Sequence, residues 1–105
     1  MARSEANVLG DVMIALSKAG ATVWRQNTGA LQDKSGRLVR YGLCVGSSDV
    51  IGICPDGRFL AIEVKAQGGR VTPEQVKFLD AVKAKGGRAG VARCVEDAIA
   101  ILGQV

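Results

Sequence analysis

The chain has 105 residues, nearly half of them apolar and only four aromatic, which suits one compact domain with a core of Val, Ile, Leu and Ala. Fourteen basic against ten acidic residues give a formal charge of +4, compatible with an anionic partner such as nucleic acid. No apolar run approaches the roughly 20 residues of a membrane span, and the opening MARSEANVLGDV lacks the hydrophobic block of a signal peptide, so an intracellular protein without membrane contact is expected.

Ser4 can cap a first helix running to about Ala19, with Val8, Leu9, Val12, Met13 and Leu16 at helical spacing and Gly20 ending it. Residues 21–27 read as a short strand, with Trp24 expected in the core. Residues 27–42, rich in Gly, Asp, Lys and Ser, read as a loop or a poorly regular hairpin carrying Lys34, Arg37 and Arg40. Two strands follow, 43–54 and 58–66, joined by Pro55, Asp56 and Gly57. That trio fits a three-residue hairpin loop with a type I turn and a bulge, and the loop fixes the register: 53 with 59, 51 with 61, 49 with 63. Thr72-Pro73-Glu74-Gln75 opens a second helix with a capping box, and Val76, Leu79 and Val82, with Phe78 beside them, supply its inner face. Residues 88–94 make a last strand and 95–102 a short final helix. The order is α-β-β-β-α-β-α, and a strand reached through a helix is expected to run parallel to its neighbour.

The register sets Asp49 opposite Glu63 on one sheet face, with Cβ atoms roughly 5 Å apart. Two opposed carboxylates repel unless a cation sits between them. The chain has no histidine, and Cys44, Cys54 and Cys94 show no CxxC pair and read as buried small apolar residues. Oxygen ligands then favour Mg²⁺ or Mn²⁺ over zinc. Lys65 points to the same face by strand alternation, where it could orient or help deprotonate an attacking water, or stabilise charge growing on phosphorus. The plainer alternative is a solvated face on which the three charges merely pair, weakened by their flanks Ala61, Ile62 and Val64.

An Asp, a hairpin and Glu-x-Lys form the PD-(D/E)xK phosphodiesterase signature, and the fuller text resembles the VRR-NUC (virus-type replication-repair nuclease) family. The resemblance rests on Glu5 in an early helix, Arg25-Gln26-Asn27-Thr28-Gly29, a basic loop, Gly46-Ser47-Ser48-Asp49, Glu63-Val64-Lys65 and Thr72-Pro73-Glu74-Gln75. It implies a single domain over 1–105 with a restriction-endonuclease-like fold, a mixed central sheet flanked by helices. It also implies a Mg²⁺- or Mn²⁺-dependent DNA endonuclease of phage or bacterial type, resolving four-way junctions in branched DNA as a homodimer. In that pattern Asp49 and Glu63 are metal ligands with the Val64 carbonyl, Lys65 orients water, Glu5 is an outer or second-metal ligand, and Gln75 is a further active-site group. Ser48 stands where the family usually has proline.

Simpler roles exist for the satellites: Glu5 complements the positive end of its helix and Gln75 only caps. Arg25, Arg40, Arg70 and Lys77 are candidate phosphate contacts, with solvated surface charge as the plain reading of each. The run QGGR at 67–70, before a helix N-terminus, offers a backbone contact to phosphate. Two other functions fit the same residues: a non-catalytic nucleic-acid-binding subunit with a vestigial acidic site, and a nicking or restriction-type nuclease.

Overall fold

A computed structural model of the chain describes residues 3–104; residues 1, 2 and 105, included in the expected single domain, lie outside the described residues. Helix α1 (Glu5–Lys18) is followed by strands β1 (Thr22–Arg25), β2 (Gly29–Gln32), β3 (Leu38–Tyr41), β4 (Val50–Ile53) and β5 (Phe59–Val64). Helix α2 (Pro73–Ala84), strand β6 (Arg88–Ala92) and helix α3 (Val95–Leu102) complete the chain. The central sheet is mixed, ordered β1-β4-β5-β6, with β5 and β6 parallel as the intervening helix requires and the other pairs antiparallel.

Local chemistry explains most boundaries. The Ser4 hydroxyl oxygen accepts the Asn7 N–H at 3.2 Å and opens α1. The Pro55-Asp56-Gly57 loop closes with Gly57 N–H donating to the Cys54 carbonyl at 2.8 Å and Gly57 at φ +91°. The register that follows is the expected one, Ile53 with Phe59, Ile51 with Ala61 and Val50 with Ile62.

Helices α1 and α3 cover one sheet face. Val12, Leu16, Val50, Leu60, Ile62 and Val64 are wholly buried there, each large aliphatic side chain contributing about 1.5–3 kcal/mol of burial free energy. Helix α2 covers the other face and packs mainly on β5 and β6, around Ala61, Leu79 and Ala89.

That half-coverage corrects two expectations. Trp24 is 51% exposed, not core, because it shares the α2 face with Ile51 and Ile53 over strands that α2 does not reach. Val76 is 45% exposed; the inner positions of α2 are Gln75, Phe78, Leu79 and Val82, one helical stripe at i, i+3, i+4 and i+7. Cys44 is also exposed, whereas Cys54 is buried and Cys94 partly so.

Residues 27–42 contain a regular hairpin, since β2 and β3 pair as a separate two-stranded sheet, so the chain carries six strands instead of four. Its turn is organised by Asp33, whose carboxylate accepts the Ser35 and Arg37 N–H groups, both at 2.9 Å. The Ser35 hydroxyl, donating to the same oxygen at 2.7 Å, together with these N–H groups holds the Asp33 carboxyl below the usual carboxylate range. The strand expected over 43–54 begins only at Val50. Gly46, at φ +87°, turns the chain before it, and a Cβ there would collide with the Glu74 backbone. The preceding loop therefore packs against the start of α2.

Candidate active site

Glu63 is the last but one residue of β5 and is 2% exposed, on the face covered by α2. The β4–β5 ladder ends at the pair Val50 and Ile62, one step before Asp49 and Glu63. Beyond that point Asp49 continues the strand contact with its side chain, and its Oδ2 accepts the Val64 N–H at 2.9 Å. The half-buried Asp49 carboxylate is thus fixed beside Glu63.

Glu63 is held from two sides. Gln75 Nε2 donates to Glu63 Oε1 at 3.1 Å, and Lys65 Nζ lies 3.9 Å from the same oxygen, with 15% of the lysine side chain exposed. Gln75 also completes the capping box: its Oε1 accepts the Thr72 N–H at 2.9 Å while its own N–H donates to Thr72 Oγ1 at 3.2 Å. One residue therefore both caps α2 and orients Glu63.

Burial, then the neighbouring Asp49, push the Glu63 carboxyl up to about 8; Lys65 opposes the rise and Glu5 adds to it. Glu63 Oε2 is buried with no hydrogen-bond partner. An orphaned buried carboxylate oxygen is costly unless a proton or a cation completes it. Two carboxylates are hard oxygen donors, which fit Mg²⁺ or Mn²⁺, ions that keep several waters and need few protein ligands. No group of three His, Cys, Asp or Glu side chains is placed to hold a metal ion among the described residues. Glu5 thus adds its charge to the site without joining Asp49 and Glu63 in a three-acid cage.

The site opens into a cleft of about 500 Å³. Asp49, Glu63 and Gln75 line it, and the hairpin contributes Arg40. Arg25, Arg70 and Lys77 are exposed and stand outside that lining. Gln26 and Ser47 also line the cleft, although the sequence reading assigned them no role. Their signal was the polar runs RQNTG and GSSD on either side of the hairpin.

The sequence model of the VRR-NUC domain matches residues 7–96. A solved structure described as a VRR_NUC domain superposes with a TM-score of 0.64 over 94% of each chain, at 19% sequence identity. No curated protein matches the sequence. At that identity the superposition speaks to fold, and the fold is the mixed sheet flanked by helices that the restriction-endonuclease-like class has.

Proposed function

The chain belongs to the VRR-NUC family, whose domains are nucleases of the PD-(D/E)xK type acting on DNA, and from that premise we propose a Mg²⁺- or Mn²⁺-dependent endonuclease resolving four-way DNA junctions as a homodimer. The observation that carries the metal assignment is the buried, unpartnered Glu63 Oε2 beside Asp49.

Asp49 and Glu63, with the Val64 carbonyl, would hold the ion, and Glu5 would act from outside the first ring of ligands. A divalent ion there supplies Lewis-acid charge at the scissile phosphate and makes water a competent nucleophile at neutral pH. Lys65, close to Glu63 Oε1 and still partly open to solvent, donates a hydrogen bond to the attacking water and offsets negative charge as it grows on phosphorus. Gln75 keeps Glu63 from rotating away. Arg40, which lines the cleft, would bind a backbone phosphate, with Arg25, Arg70 and Lys77 contributing outside it.

Symmetric cutting of a junction calls for two sites, hence two copies. The exposed Trp24 and Ile53, on the half-sheet that α2 leaves open, supply apolar surface for such an association.

The test is incubation of labelled four-way junction, flap and linear duplex with Mg²⁺, Mn²⁺ or EDTA, alongside sedimentation. Symmetric junction cuts by a dimer, lost in EDTA, are expected. Equal cutting of all three substrates would move the assignment to a nicking or restriction-type enzyme. Salt-sensitive binding without cleavage would leave a non-catalytic DNA-binding subunit.

A further inference from the structure

Asp49 lies just beyond the strand ladder: its Oδ2 is anchored on β5 by the Val64 N–H, and its backbone is delivered by the loop of residues 43–48. That loop is tied to one side chain 17 to 22 residues away, Gln26. The Gln26 peptide N–H donates to the Asp49 carbonyl at 2.7 Å. Its side-chain Nε2 donates to Ser47 Oγ at 2.8 Å and to the Ser48 carbonyl at 3.3 Å. Its Oε1 accepts the Leu43 N–H at 3.3 Å and the Thr28 hydroxyl at 3.2 Å, while Thr28 Oγ1 lies 2.7 Å from Ser47 Oγ.

The chemistry of these partners fixes the amide. Leu43 N–H can only donate and the Ser48 carbonyl can only accept, so the oxygen must face the first and the nitrogen the second. A flipped amide would set donor against donor and acceptor against acceptor. Ser48 is itself wholly buried, its hydroxyl donating to the Val50 carbonyl at 3.0 Å, which anchors the residue before Asp49 to the strand after it. Both ends of the loop therefore converge on Gln26.

We propose that Gln26 is a positioning residue for the Asp49–Glu63 metal site, acting through loop 43–48 to hold the Asp49 carboxylate toward Glu63. The assignment rests on the metal-dependent reading of that site. Gln26 need touch neither ion nor phosphate. Its role is to hold the backbone of a ligand whose carboxylate the sheet anchors by one bond, from the Val64 N–H, since productive metal geometry tolerates errors of only about 0.5 Å.

The test uses Gln26→Glu, which keeps size and the acceptor for Leu43 but turns a carboxylate oxygen on the Ser48 carbonyl. Mn²⁺ affinity is measured by calorimetry on the full chain, beside wild type and Asp49→Asn. The added negative charge would by itself attract a cation, so a loss of affinity reports lost positioning. A fall of about tenfold or more is expected, in the range of other residues that orient ligands, with cleavage recovering as Mn²⁺ is raised. Ser47→Ala, which removes one acceptor of the hub, should lower affinity in the same direction by about threefold and serves if Gln26→Glu does not fold. Wild-type-like affinity in the folded variant, with Asp49→Asn abolishing binding, would overturn the role of Gln26 and leave the nuclease assignment standing. Failure of the wild type to bind Mn²⁺ would overturn both.

Discussion

Gln75 touches Glu63 and the α2 cap with opposite ends of one amide: Nε2 reaches Glu63 Oε1 at 3.1 Å and Oε1 accepts the Thr72 N–H at 2.9 Å. Helix capping and orientation of the buried carboxylate are therefore a single structural event. The two can still be separated by mutation. Thr72→Ala should cost about 1 kcal/mol of stability through the lost cap and change Mn²⁺ affinity little. Gln75→Ala should cost a similar amount and also weaken Mn²⁺ about 10-fold to 100-fold. Melting and calorimetry on the pair distinguish them; equal metal affinities would reduce Gln75 to a cap.

Glu63 sets a pH dependence whose sign is determined. Its carboxyl ionises near 8 in the metal-free protein, against 4.5 for the unperturbed group. Between those values the folded state holds a proton that the unfolded state has lost, so the contribution of Glu63 to stability is full below 4.5 and declines as pH rises through 8. Metal-free Tm should therefore fall across this window and be partly restored by Mn²⁺.

Glu63→Gln removes that titration. At pH 8 in EDTA the variant should melt several degrees above wild type, because an uncharged amide replaces a carboxylate that is buried beside Asp49. A fall of several degrees would mean that Glu63, Asp49 and Lys65 are structurally paired.

Gly46 ties the loop before Asp49 to α2. At φ +87°, with the Glu74 backbone against it, any side chain there is strained and displaced. Gly46→Ala should cost about 1–3 kcal/mol and weaken Mn²⁺ binding along with stability, as read by melting and calorimetry. An unchanged Tm would contradict the close packing of loop and helix.

Arg40 is the basic side chain, among those singled out from the sequence, that lines the cleft. Arg40→Ala should weaken DNA binding measured in EDTA and lower the slope of log K against log salt by about 1. An unaltered slope would remove Arg40 from the phosphate contacts.

Much of this geometry is legible in the sequence because it depends on local rules. Pro55-Asp56-Gly57 specifies one hairpin loop, and a single loop places Asp49 next to Glu63. Thr72 and Gln75 announce their own capping box. Relationships that close over distance are not legible. Gln26 reaches residues 17 to 22 positions away, and although the polar runs RQNTG and GSSD single out both partners, nothing in either run says that they bond to each other. Trp24 reads as core by composition, yet its burial depends on how far α2 extends across the sheet, and α2 stops over β5 and β6. The β2–β3 segment reads as a loop or a poorly regular hairpin because it is rich in Gly, Asp, Lys and Ser, and its regularity comes from the turn bonds that Asp33 supplies.

The most direct test of the central claim compares wild type with Lys65→Ala on a labelled four-way junction in Mg²⁺, with Mn²⁺ and DNA binding measured on the same samples. We expect both proteins to bind ion and junction, the wild type to cut, and the variant to cut at least about 100-fold more slowly, as loss of a group that acts on the reacting atoms requires. Equal rates, or a wild type that binds Mg²⁺ and junction without cutting, would contradict the account.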